Sequence, residues 1–227
     1  MNAEKTRHPP ETIRIDFHMH TRGSHDCLSD PEAVLRQALS AGVRRIAITD
    51  HNEISVALEM AALHPDAVIP GEEIKTAEGI DLIGLYLSEL IPKGTPAVET
   101  CERVRAQGGI AYLPHPFARG KGGGGSHVAR LVPFLDVIEV HNGRLRPAAL
   151  NEQALRVAEE SGLLRGAGSD AHTVGEVARS WVELPAHANE PAALLAALPH
   201  GRIHGRTSHP VVHLASTWAK VRRRLPF

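Results

Sequence analysis

His18 and His20 stand two residues apart in the segment IRIDFHMH. Side chains of an extended segment alternate with period two, so both imidazoles, with Asp16, fall on one face and can meet a single ion. Histidine is the commonest metal ligand, and similar endings recur along the chain. Asp26 follows in the turn HTRGSHD, His51 stands in ITDHN, Glu73 in PGEE, His115 in YLPH, His141 in EVHN, and Asp170 and His172 in GSDAH. These nine side chains are the candidate metal ligands. One tetrahedral zinc takes four donors, so nine fit two or three divalent ions bridged by carboxylates. Imidazole and carboxylate without thiolate suit zinc, manganese or iron alike. A solitary histidine at a strand end is most often a hydrogen-bonded structural residue. Six of them at successive ends, each near a carboxylate, favour metal instead, because burying so many titratable groups together otherwise demands a partner for each.

The elements that must position these residues follow from the apolar pattern. IRIDFH, VRRIAIT, AVIPG, IDLIGLYL, IAYLPH, DVIEVH, LLRGAGSD, WVELP and GRIHG read as strands. Between them lie helical patterns: Asp30-Pro31 is an N-cap with proline at the first helical position, and Gly42 is its stop. A weaker helix spans 54–63, others run from Thr95-Pro96 to Gly108 and from Pro147 to Ser161, and PAALLAAL is a further one. Such alternation argues for about seven βα units around a parallel sheet, close to a barrel, whose strand ends converge on one rim. The expected organisation is an extended or disordered segment 1–12, a barrel domain 13–208 and a basic helix or tail 209–227.

Composition removes other classes. The 227 residues carry 25 Lys and Arg against 26 Asp and Glu, so the broad basic footprint of a duplex nucleic-acid binder is absent. With 42% apolar residues the chain can bury a sizeable core, and the excess that stands out is 15 histidines. Cys27 and Cys101 form no C-x-x-C pair, which fits a reducing compartment. The opening MNAEKTRHPPE has no apolar core, and no run of 18 apolar residues occurs, so a cytoplasmic protein without a membrane span is expected. Gly120, Gly122 and Gly125 satisfy G-x-G-x-x-G, but they do not directly follow a strand, and a flexible loop is the better reading.

In DFHMHT, AITDHN, PGEE, LPHP, EVHN and GSDAH, taken in this order, the sequence resembles the polymerase and histidinol phosphatase (PHP) family over about residues 13–172. The resemblance implies a distorted (β/α)7 TIM-like barrel, a dinuclear or trinuclear metal centre at the strand ends, and hydrolysis of phosphate esters. It places the family carboxylate on Glu73 rather than Glu72. Many members carry a histidine where this chain reads Gly79-Ile80-Asp81-Leu82, so Asp81 either replaces a ligand or leaves one metal position altered. The helical insertion of members acting on nucleotides and RNA ends has no room between Glu73 and His115.

The expected chemistry is in-line attack on phosphorus by a metal-bridging hydroxide, the ions holding the phosphoryl oxygens and offsetting charge on the attacking and leaving oxygens. Asp16 is placed to orient an imidazole, and Asp50, pointing away from His51, to make structural hydrogen bonds. Arg119, Lys121 and Arg144 follow strand ends and are candidate phosphate ligands, Arg144 foremost; each alone is equally compatible with a solvated surface charge. His25 is a candidate general acid toward the leaving group. His64, His127, His187 and His200 read as surface residues, and Pro210 argues against His209 and His213 as a helical metal pair. The basic tail STWAKVRRRLPF is more often a helix packed on the barrel than a membrane anchor. A small-molecule phosphomonoesterase is therefore expected, against two rivals: a nuclease or nucleotidase acting on nucleic-acid ends, and a non-catalytic metal-binding regulatory module.

Overall fold

The computed structural model describes residues 11–119 and 122–224. Gly120 and Lys121, residues 1–10 of the expected N-terminal segment and 225–227 of the tail lie outside the described residues. The strands are β1 Thr12–Met19, β2 Arg45–Ile48, β3 Val68–Lys75, β4 Asp81–Leu85, β5 Ile110–Leu113, β6 Val137–Asn142, β7 Leu164–Gly168, β8 Ser180–Pro185 and β9 Arg202–Gly205. They form one sheet in the order β7-β6-β5-β4-β3-β2-β1-β8-β9.

β1, β2 and β3 are parallel, as are β5, β6 and β7, but β4 runs antiparallel to both neighbours. This corrects the expectation of an all-parallel set of βα units. The chain turns back after Lys75 without an intervening helix, and Gly79, at φ 80°, supplies the left-handed residue of that turn. β8 and β9 extend the sheet as antiparallel strands beyond β1. The β7 edge then curls round to meet β1: the Asp170 N–H donates to His18 O at 2.7 Å and the His20 N–H to Ala171 O at 2.9 Å. The sheet is thus a nearly closed barrel whose seam lies beside the histidines of β1.

Alternation along the strands divides the core in two. Ile15, Phe17, Ile69, Ile83, Tyr112 and Val182 fill the inside, whereas Ile46, Ile74, Leu82 and Ile138 face helical residues such as Leu35, Met60 and Val104. Each such side chain contributes roughly 1.5–3 kcal/mol by leaving water. Helix Pro31–Ser40 starts as the sequence dictates, with Asp30 Oδ2 accepting from the Ala33 N–H at 3.0 Å. The C-terminal helix Val212–Arg224 packs across the rim where the candidate ligands gather, with Ser216 and Ala219 buried and Leu214, Trp218 and Val221 exposed.

Candidate metal centre

His18 leaves the end of β1 wholly buried. Its Nδ1 lies 3.2 Å from Glu139 Oε1 and its Nε2 3.4 Å from Glu73 Oε2. The imidazole reaches that position because β7 comes close at Gly168, where any Cβ would collide with the Cβ of His18 and with Glu139 Oε1. His20 is steadied through Nδ1 by Ser24 Oγ at 3.0 Å. Its Nε2 is buried without a hydrogen-bond partner, Glu73 Oε2 and Asp170 Oδ1 each standing 3.4 Å away. Burial, together with His172 and His51 close by, pushes the His20 pKa down to about 3, which keeps the ring neutral and its lone pair available.

The other strand ends converge on the same point. Asp50 accepts from Thr21 N–H and Oγ1 at 2.6 and 2.5 Å and from Ser24 N–H and Oγ at 3.1 and 2.9 Å, which folds the 21–24 turn against the end of β2. Ser24 Oγ in turn receives the His51 N–H at 2.9 Å. His51 Nδ1 then lies 3.0 Å from Glu73 Oε2, and His51 Nε2 3.7 Å from Asp26 Oδ2. Glu73 reaches across with its second oxygen to His115 Nε2 at 3.0 Å. Burial alone would raise the Glu73 carboxyl, but His51 and His18 beside it hold it well below the usual range. Asp170 and His115 sit at positive φ, 53° and 28°, conformations uncommon outside glycine that cluster at functional sites. His172 Nε2 faces Asp26 Oδ2 at 3.4 Å.

Three overlapping groups of donor atoms result, His20 with His51 and His172, His18 with His20 and Asp170, and His18 with Glu73 and His115. Within each group all donor atoms lie inside 4.8 Å of one another. Nitrogen and carboxylate donors packed this closely, with His20 Nε2 and His115 Nδ1 left without a hydrogen-bond partner, can hold divalent cations. They open on a cleft of about 360 Å³ that His25, Lys75, Lys93 and Lys220 also line.

Residues 149–203 match the model of a family described as PHP-associated. Over 156 residues the chain is 36% identical to an uncharacterized protein of Methanocaldococcus jannaschii, covering 63% of this chain and 90% of that one. The chain belongs to the PHP family. Among solved structures it is similar to a two-domain Bacteroides vulgatus protein containing a predicted PHP-like metal-dependent phosphoesterase, with TM-score 0.70 and 19% identity over 92% of this chain and 70% of the other. It is also similar to a lesion-specific endonuclease of Pyrococcus furiosus, with TM-score 0.66 and 13% identity over 85% of this chain and 58% of that one.

This PHP chain differs from its sequence reading at several residues. His141 is apart from the three donor groups: its Nδ1 lies 2.9 Å from Ser180 Oγ and its ring sits against Gly205. The cause is a register shift between Glu139 and His141 on β6, which interrupts the alternation and turns Asn142 rather than His141 toward Asp170. Glu139, not among the residues singled out by the sequence, is the carboxylate that meets both His18 and the His115 backbone. It shares the EVHN segment, and the only available signal was its period-two relation to His141. Asp16 touches no imidazole; it accepts from the backbone N–H groups of His18, Ser169 and Ala178 and joins β1 to the end of β7. Asp81 is buried on the cleft, its Oδ1 2.5 Å from Lys75 Nζ, and belongs to none of the donor groups. Burial pushes its carboxyl up to about 6.

Arg144 is buried and already engaged. Its Nε lies 3.0 Å from Glu176 Oε1, its Nη1 2.7 Å from His172 Nδ1, and its Nη2 donates to Val212 O and Ser216 Oγ, both at 3.2 Å. It positions His172 and the C-terminal helix, with little of its fork left for a phosphate. Arg119 is exposed on an adjoining hollow of about 200 Å³ shared with Arg146 and His213. His25 is exposed on the rim, its ring 5.3 Å from that of His51. No helix among the described residues is long and apolar enough to cross a membrane.

Proposed function

We propose that this chain is a metal-dependent phosphoesterase, acting as a phosphomonoesterase on a small phosphorylated metabolite. The observation that carries this reading is the set of three donor groups linked through the buried His18 and His20, whose other members, His51, Glu73, His115, Asp170 and His172, line one cleft together with Lys75, Lys93 and Lys220. Asp26, Glu73 and Asp170, with His18, His20, His51, His115 and His172, would hold two or three ions of zinc, manganese or iron. Such ions supply Lewis acidity at phosphoryl oxygens and a nucleophilic water at neutral pH.

The chain's own residues prepare the rest. Glu73 faces imidazoles on β1 and just after β2 and β5 at once, so it would hold metal together with all three. Glu139 fixes the orientation of His18, and Arg144 that of His172. His25, outside the three donor groups and at the rim, is where a proton reaches a departing alcohol oxygen. Lysines on the cleft wall complement phosphate charge while the net charge stays at -1.

The second reading is an esterase of nucleic-acid ends, favoured by the fold shared with the endonuclease. Manganese- or zinc-loaded protein assayed against an aryl phosphate, an aryl phosphodiester and short oligonucleotides separates the two. Inorganic phosphate released from the monoester far faster than either diester is cleaved is the expected result. Preferential oligonucleotide cleavage would favour the second reading, and no turnover of any ester would leave a non-catalytic metal-binding module.

A further inference from the structure

The C-terminal helix Val212–Arg224 belongs to the cleft as well as to its surroundings. Ser216 and Lys220, four residues apart and so on one helical face, both line it. The helix is tied at both ends: Val212 O and Ser216 Oγ accept from Arg144, and the Arg223 guanidinium contacts the carbonyls of Arg22 and Cys27. Lys220 Nζ therefore stands at a defined place, 3.3 Å from Asp26 Oδ2.

Two other cations of the cleft are already held by buried carboxylates, and Lys93 is exposed on its wall with no ion pair to a candidate metal ligand among the described residues. Arg144 is buried against Glu176, and Lys75 is held by the buried carboxylate of Asp81. Lys220 is half-exposed, and an ion pair in contact with solvent holds its partners weakly. Its Asp26 partner also faces ring nitrogens of His51 and His172, so that carboxylate has other partners besides Lys220. An ammonium anchored beside a candidate metal ligand but weakly held can exchange its carboxylate for a more highly charged oxyanion.

We propose that Lys220 is a substrate-binding residue that contacts the phosphate of the ester, making the C-terminal helix part of the active site. This rests on the phosphoesterase reading, and it assigns to Lys220 the role that sequence alone placed on Arg144. The apolar residues Leu214, Trp218 and Val221 stay on the outer face of the helix, clear of this contact.

The test uses the full-length, manganese-loaded protein and orthophosphate as probe. Calorimetry on Lys220→Gln is expected to show orthophosphate binding weakened about tenfold, the scale of losing one charge-assisted hydrogen bond, with manganese affinity undiminished. Lys220→Arg is expected to restore most of it. Tryptophan fluorescence in a Trp181→Phe background, where Trp218 alone reports the seating of the helix, should be unchanged by either Lys220 substitution. The proposal is overturned if orthophosphate binds Lys220→Gln as tightly as wild type, if wild type does not bind it, or if the loss comes with a shifted Trp218 emission. Aryl phosphate turnover, measured in parallel, keeps the two readings apart. An inactive wild type that still binds orthophosphate through Lys220 counts only against the phosphoesterase reading.

Discussion

Glu139 Oε1 lies 3.2 Å from His18 Nδ1, while Glu139 Oε2 accepts the His115 backbone N–H at 2.7 Å. One buried carboxylate thus sets the orientation of a candidate ligand from β1 and the backbone position of another from β5. Asn142 Nδ2 and Tyr112 Oη donate to the same carboxylate at 2.9 and 3.1 Å, so it is fully enclosed by partners. Glu139→Gln is expected to weaken manganese or zinc binding by about 10–100-fold, the usual effect of removing an orienting partner. His141→Asn should leave metal stoichiometry unchanged, and metal analysis of the two purified variants makes the comparison.

Glu73 lies within 3.4 Å of ring nitrogens on His18, His20, His51 and His115. Its removal should exceed the orienting effect of Glu139. Glu73→Gln is expected to lose at least about one bound ion per chain and to lower turnover by more than about 100-fold. Retention of both ion content and rate would contradict a role for Glu73 in holding the ions.

Protons and cations compete for these imidazoles. Burial alone would lower the His51 pKa, but Glu73 and Asp26 raise it to about 9 from an ordinary 6.5. A raised histidine pKa stabilises the fold fully below 6.5, and that contribution fades as pH rises through 9. The melting temperature of chelator-treated protein should therefore fall between these limits, and His51→Gln should flatten the slope. Metal affinity should run the opposite way, rising with pH as the ring is freed of its proton.

Gly168 allows β7 to approach His18. Gly168→Ala is expected to destabilise the protein by about 1–3 kcal/mol, because the neighbours of the added methyl group include the backbone N and Cβ of His18. Gly175→Ala, where an added Cβ meets nothing within 4 Å, is the matched control. Thermal melts of the pair should separate by several degrees, with Gly168→Ala the lower.

Much of this protein could be read locally. The Asp30-Pro31 helix start, the strands at each apolar run and the donors at their ends depend on residues a few positions apart. Sequence and structure part where a distant neighbour decides the outcome. A single register shift on β6 exchanged His141 for Asn142, since a strand's alternation reverses with one inserted residue. Arg144 follows a strand end as a phosphate ligand would, yet Glu176, over thirty residues later, takes its guanidinium.

The sequence by itself determined which chemistry was available: imidazoles and carboxylates with period-two placement and no thiolate competitor, in the motifs of the PHP family. Tertiary structure decided which of those groups meet. It brought Glu139 to His18, turned β4 antiparallel, left Asp81 with Lys75, and laid a helix from the far end of the chain so that Lys220 stands beside Asp26. Side-chain alternation is a property of neighbouring residues, whereas these pairings depend on strand register and on where a helix docks, which are set by contacts across the whole fold.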